Sequence, residues 1–419
     1  MGSSNVHQIV IIGASFGGLP VAQQLLKTVL PTVSAASKQK YKVVIIAPND
    51  YFYFKIGAPR MLVNPDKFPV EKGLIPITDS FKHYGKDKFD FVHAYATSID
   101  PATRTISTST NQNVRYDSLI IASGTSFNSS AWSTSNGIDA LRAELADFHA
   151  NIPLAKSILV AGGGPVGIET SGELGDSYGG KKEITLLSGA GQLLSRLNNK
   201  ELGQEAAVKL NKVGVKVVHN VKVNQSTKHA DGKTTVKLSD GTEKTVDVYI
   251  EATGDRPNNS YVPQDWLNEK GFVKTAGDTL RLNVSGQHNV YCIGSVGSYS
   301  DGSIMDTRFG IKALLDSVKT DLIGKGESSA SSIASQQSTT DPLGWMDWLI
   351  SWIPYYGTAG APKKPILYKK PPETQMVPIG AKAGVGVGWG WKLPAFVVVN
   401  FKSKKFFISD PPKVVNGTW

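Results

Sequence analysis

The chain of 419 residues holds a single cysteine, Cys292. That excludes an intramolecular disulfide and any dithiol redox pair built from this chain. No apolar run reaches the roughly 18 residues of a membrane-spanning helix, so none is expected. The apolar stretch Ile9–Ala14 lacks a basic flank and a cleavage-site pattern, which argues against secretion. The N-x-S/T matches at Asn128 and Asn283 are then expected to be unused. The start, MGSSNV, offers Gly2 but places Val6 where a myristoylation signal wants Ser or Thr. No aromatic–basic array of a nucleic-acid-binding fold is present, so nucleic acid is not an expected partner. No metal site is expected either.

What is present is a soluble globular composition with 42 glycines and a net charge of +10. The charge is uneven. From Ala361 to Trp419 there are ten lysines against two acids, Glu373 and Asp410. A tail of that sign attracts anionic surfaces, unless its charges simply face solvent.

Strand, turn and helix signals alternate from residue 8 onward. HQIVIIGASFGG runs into the helical LPVAQQLLKTVL, and YKVVIIAPND reads as a second parallel strand. DSLIIASG is another strand closed by a glycine turn. ALRAELADFHANI is a helix. The pattern then restarts with KSILVAGGGPVG, the helix IETSGELGDSYG and the strand KEITLLSG. NVYCIGS is a further strand, and MDTRFGIKALLDSVKTDLIG a helix. Two strand–turn–helix units about 150 residues apart suggest a duplicated nucleotide fold, an α/β architecture of two Rossmann-like units.

The turns carry the chemistry. Phosphate approaches a strand–turn–helix only where side chains are absent, so that backbone N–H groups face the anion. Gly162, Gly164 and Gly167 fill all three positions of G-x-G-x-x-G in the second turn. In the first, Gly13 and Gly18 fill the outer positions and Ser15 replaces the middle glycine. A serine there is small and can donate to a phosphate oxygen. The acid that usually holds a ribose at the end of the next strand is missing from both units. Ala47 stands there in the first, with Asn49 or Asp50 as stand-ins, and Ser188 in the second. Without an acid at Ser188, NADPH is not disfavoured, and Arg196 is either a phosphate partner or a surface arginine.

IIGASFGG, NDYFYFKIGAPR, LIIASG, VAGGGPVGIETSGEL, IEATGDRPN and NVYCIGSVG, in that order, resemble the two-dinucleotide-binding-domain flavoproteins. Within them the chain is most similar to the apoptosis-inducing-factor-like and ferroptosis-suppressor-like group. The resemblance runs over residues 7–322 and the tail from 376. It implies an FAD domain at 7–150 and 276–323, split by an NAD(P)H domain at 151–275. A Ser-rich linker at 324–341 and a C-terminal region at 342–419 with a β tail follow. It also implies FAD on Gly13, Ser15, Gly17, Gly18, Ala122, Ser123, Gly124, Gly294 and Ser295, with Arg60 beside the flavin. NAD(P)H is implied on Gly162, Gly164, Pro165, Gly167 and Gly254. Glu169, near nicotinamide and flavin, and Lys55 are the implied catalytic groups. Relatives carry Gly-Asp where this chain has Gly294-Ser295, so the usual carboxylate for the ribityl chain is absent. The expected activity is NAD(P)H oxidation through FAD to a quinone or similar small acceptor. The alternatives are a tailoring oxidoreductase of a small metabolite, or a nucleotide-responsive signalling protein with weak or lost flavin.

PLGWMDWLISWIPYYG, 342–357, sets Trp345, Trp348, Leu349 and Trp352 on one helical face. Such a helix suits a bilayer interface or folds over the protein core. With the following KKPILYKK it offers apolar and polybasic signals together, which suits peripheral membrane binding via 342–370. The location then expected is the cytoplasmic side of an intracellular membrane, such as the mitochondrial outer membrane or a lipid droplet.

Overall fold

The computed structural model describes residues 6–324 and 365–419. The linker and the 342–357 helix expected above lie outside these residues.

The first sheet is five-stranded and parallel, in the order Val290–Cys292, Ser118–Ile121, His7–Ile12, Tyr41–Ala47, Phe89–His93. Its strands are apolar on both sides because both faces are covered. Ile9 and Ile11 join one core cluster, while Val10 and Ile12 join the other; Val43 and Ile45 divide from Val44 and Ile46 in the same way. Each such fully buried side chain contributes about 1.5–3 kcal/mol. A one-residue slip in register would exchange the faces and gain nothing, so the flanking glycine turn and helix Gly18–Gln24 fix the register.

The second sheet repeats the plan with four parallel strands, Val215–His219, Glu183–Ser188, Ser157–Ala161 and Val248–Glu251. In each unit the first strand lies inside the sheet, with the next strand of the unit on one side and a later strand on the other. That reversal opens a crevice at the carboxyl ends of the strands. Each unit also carries a three-stranded antiparallel sheet, at Ala96–Asp100, Thr105–Thr108 and Asn113–Arg115, and at Val223–Lys228, Thr234–Leu238 and Glu243–Val246.

Arg256–Pro257 pairs with Thr125–Ser126, which brings the chain against the first unit there. Tyr261, Val262, Trp266 and Val273 then pack in the core beneath the first sheet. The C-terminal region is only partly β. Gln375–Ile379, Ala383–Gly388 and Trp391–Lys392 form an antiparallel sheet, but the apolar run after Pro394 is helical over Ala395–Val398 and continues as a π-turn over Val399–Ser403. Val398, Ser403 and Phe406 are buried while Phe396 and Phe401 are exposed. That is one-sided burial rather than strand alternation. Pro394, which ends the preceding turn, sets its start.

This C-terminal segment straps the two units together. Its first strand lies on helix Pro165–Tyr178 so closely that a Cβ on Gly172 would sit 2.6 Å from Ile379 Cα. Farther on, Trp419 packs 5.4 Å from the ring of Phe16, and Arg308 lies over Trp419.

Candidate functional site

Two cavities occupy the two crevices. The first, about 380 Å³, is lined by Gly13, Ser15, Gly17, Ala122, Ser123, Gly124, Gly294 and Ser295. The second, about 930 Å³, is lined by Gly162, Gly164, Pro165 and Gly254. Gly18 and Gly167 stand just behind. A Cβ on Gly18 would fall 1.9 Å from Gly13 O, and one on Gly167 1.8 Å from Gly162 O. These two glycines let each helix start directly on its strand, so that its first N–H groups face the cavity. Gly13 (φ +110°) and Gly162 (φ +136°) adopt backbone conformations that L side chains rarely take.

Gly302 and Ser303 line both cavities. They open the helix Ile304–Leu322, and the Ser303 hydroxyl accepts from Met305 N at 3.1 Å. Ile304 and Thr307 turn to the first cavity, Met305 and Asp306 to the second. The positive end of a 19-residue helix therefore lies where the two spaces meet, which favours negative charge developing there. The helical pattern in the sequence starts at Met305, one residue after the observed start. The capping pattern Ser303-x-x-Asp306 was the signal that could have placed its start.

Among the described residues no carboxylate lines the first cavity, and the one charged residue that does is Lys55. Burial holds the Lys55 ammonium below the ordinary lysine range, while Asp255, in the wall of the second cavity, works against that shift. Of the two stand-ins for a ribose acid, Asn49 lines the cavity and donates to Thr134 O at 2.8 Å; Asp50 is exposed and outside it. Ser295, where the resemblance leads one to expect aspartate, lies 3.2 Å from Thr125 Oγ1. Behind it Tyr261 donates to Ser123 Oγ, which donates to Asn258 O. A glycine cradle followed by neutral hydroxyls fits FAD. The cradle would hold the pyrophosphate, the hydroxyls would offer hydrogen bonds to the ribityl chain, and no carboxylate among the described lining residues would oppose the phosphates.

Arg60 and Glu169 stand elsewhere than expected, lining neither cavity. Arg60 is buried and forms a two-point pair with Glu173, at 2.9 and 2.7 Å, and donates to the carbonyls of Ser403 and Lys404. Glu169 accepts from Lys402 Nζ at 2.6 Å. Burial raises the Glu169 carboxyl, against the pull of Lys402. The cause is the C-terminal strap, which covers this seam and supplies partners to both residues.

Charge in the strap is partly spent within the molecule. Lys370 pairs with Asp301, Lys392 with Glu205, Lys402 with Glu169 and Lys413 with Asp410. Cys292 is fully buried, and burial pushes its thiol up to about 12. No group of metal-ligating side chains occurs among the described residues.

A family model for pyridine nucleotide-disulphide oxidoreductases matches residues 7–313. Over nearly its whole length the chain is similar to two fungal proteins. Oxidoreductase ptaL of Pestalotiopsis fici is 31% identical over 99% of this chain and 100% of its own. Oxidoreductase phnG of Penicillium herquei is 30% identical over 97% and 95%. Ferroptosis suppressor protein 1 of Taeniopygia guttata is 26% identical over 68% of this chain and 73% of its own. Among solved structures, the sulfide:quinone oxidoreductase of Aquifex aeolicus superposes with a TM-score of 0.58 at 15% identity, over 76% of this chain and 78% of its own. The chain belongs to the pyridine nucleotide-disulphide oxidoreductase family. It is an oxidoreductase whose cofactors are FAD and NAD(P)H.

Proposed function

We propose that this oxidoreductase passes reducing equivalents from NAD(P)H, through FAD, to a quinone or similar small acceptor, at a membrane surface. The observation that carries the reading is the meeting of the two cavities at Gly302 and Ser303, with Lys55 on one side and the start of a long helix between them. When bound, FAD supplies the redox chemistry, accepting hydride and delivering it onward. The residues hold and orient. The two glycine turns take the pyrophosphates. Lys55 and the helix start place positive charge where a reduced ring would carry negative charge. Phe16, Ile46 and Ile293 give the first cavity apolar wall.

A non-thiol acceptor is supported by the lone Cys292, a buried side chain whose thiol stays protonated at neutral pH. A quinone is favoured by the resemblance to a sulfide:quinone oxidoreductase. The membrane reading draws on the C-terminal sheet and the turn after it. Trp391, Phe396 and Phe401 are each more than half exposed there, and Lys382, Lys404 and Lys405 are exposed in the same C-terminal segment. Aromatic rings with lysines suit a phospholipid interface. A second reading, oxidation or reduction of a small metabolite in solution, is favoured by the full-length similarity to the two fungal oxidoreductases.

The test is anaerobic addition of NADPH to the purified yellow protein, followed by a water-soluble quinone, with and without anionic vesicles. Bleaching by NADPH, recovery by quinone and co-sedimentation with vesicles are expected. Bleaching with no recovery by any quinone would shift the assignment to a metabolite. A colourless protein that takes up no FAD would sink the oxidoreductase reading.

A further inference from the structure

The second cavity is uneven in charge, and the unevenness lies at its ribose end. Strand Glu183–Ser188 ends in Ser188-Gly189-Ala190, a loop with no acid. In a dinucleotide fold an acid at this place hydrogen-bonds the ribose 2′-hydroxyl and repels a 2′-phosphate. The Ser188 hydroxyl is turned into the loop, 3.1 Å from Ala190 O and 3.2 Å from Gln192 O.

The neighbouring strand, Val215–His219, brings a cation to the same loop. Beyond its end, Asn220 N donates to Ala190 O at 3.2 Å and Val221 N to Ser188 O at 3.1 Å. These two bonds lay Lys222 across Gly189. A Cβ on Gly189 would sit 2.6 Å from Lys222 Cγ and 2.7 Å from its Cε. Glycine is therefore what allows the lysine stem to lie there. Lys222 lines the second cavity, as do two other cations, Arg196 and Lys370. Arg196 faces Asp255 at 3.7 Å and Lys370 pairs with Asp301. Among the described residues no carboxylate pairs with Lys222.

We propose that Lys222, laid over Gly189, forms with residues 188–190 a subsite for a phosphate monoester, the 2′-phosphate of NADPH, so that the second cavity selects NADPH over NADH. The inference rests on the second cavity being the nicotinamide nucleotide site. It assigns to one lysine a discrimination that is distinguished from any part played by Arg196, which faces Asp255 at 3.7 Å.

Equilibrium binding tests it on the FAD-loaded protein. Calorimetric titrations would compare NADP⁺ with NAD⁺, and the fragments 2′,5′-ADP and ADP. NADP⁺ is expected to bind more tightly by about tenfold, the worth of one charge-assisted contact. That preference should shrink as salt rises, because the contact is near the surface. Lys222→Ala should remove most of it and leave NAD⁺ affinity within about twofold. Ala190→Asp should reverse it. Arg196→Ala should leave it in place. Circular dichroism would check that each variant is folded. Equal binding of the two nucleotides by the unaltered protein would overturn the proposal. So would a preference that survives Lys222→Ala, or one lost in Arg196→Ala instead. Binding of neither nucleotide would overturn the assignment of the cavity itself, and the proposal with it.

Discussion

At the three fingerprint positions the two glycine turns are built alike except at one, and that position separates two duties. In both, the first glycine has positive φ and faces a carbonyl across the crevice. A Cβ on Gly13 would lie 2.4 Å from Ala122 O, and one on Gly162 2.4 Å from Ala252 O. In both, the last glycine abuts the first. The middle position differs. A Cβ on Gly164 would meet nothing within 4 Å. The outer glycines thus answer to the protein's own backbone, and the middle one only to what enters the cavity. Ser15 is tolerated by the fold for that reason, and its cost or benefit falls wholly on the cofactor.

The largest effect expected from breaking this comparison lies at the seam joining the two units. Arg60 belongs to the first and Glu173 to the second, with side chains 3% and 0% exposed. Removing one partner strands the other's charge, so Arg60→Ala should destabilise by about 3–5 kcal/mol, read by urea unfolding. Next come the outer glycines. Gly18→Ala and Gly167→Ala each force a methyl onto a backbone carbonyl, at a cost of about 3 kcal/mol. Gly18→Ala should abolish the flavin absorbance. Gly167→Ala should keep the protein yellow yet stop its bleaching by NADPH. Loss of flavin from both would show that the turns are not independent.

Smaller effects sharpen the middle position. Gly164→Ala should leave the unfolding midpoint unchanged while weakening nucleotide binding by about tenfold, as measured by titration. Ser15→Gly should shift stability by less than about 1 kcal/mol and act only on FAD affinity. The smallest effect belongs to Cys292. Cys292→Ala should leave flavin reduction and acceptor turnover unaltered, and iodoacetamide should not label the folded protein at neutral pH. Its thiol is raised from 9.0 to about 12 in the folded state. Its contribution to stability is therefore present in full below about pH 9 and lost as pH climbs toward about 12, which alkaline unfolding would register.

Much of this was legible in the sequence because it is local. Buried strands read as apolar runs, and the turns read as glycines at fixed spacing. The long helices Ile138–Asn151, Pro165–Tyr178 and Ile304–Leu322 all appear where their periodicity puts them. What stayed hidden depends on distant partners. Arg60 was expected beside the flavin, but Glu173 and the carbonyls of Ser403 and Lys404 hold it elsewhere. Glu169 is taken by Lys402, a residue 233 positions away. Lys222 carries no motif, and its relation to Gly189 exists only because two parallel strands end side by side. The run AFVVVNFKS has strand-forming residues, yet the small glycines of Ala383–Gly388 leave room for a helical turn to pack over them. Tertiary packing overrides local propensity there.

The strap also sets an order of events during synthesis. Its contacts span very long stretches of chain: 393 positions between Gln24 and Gly417, and 343 between Arg60 and Ser403. Contacts so far apart close last, since the intervening chain must first exist and fold. A ribosome delivers both nucleotide units before it delivers the segment that clasps them. Until then Glu169 lacks Lys402, the Arg60–Glu173 pair lacks the carbonyls of Ser403 and Lys404, and Phe16 lacks its partner Trp419. In a chain not yet clasped, the faces that the strap covers in the native protein stand open to solvent.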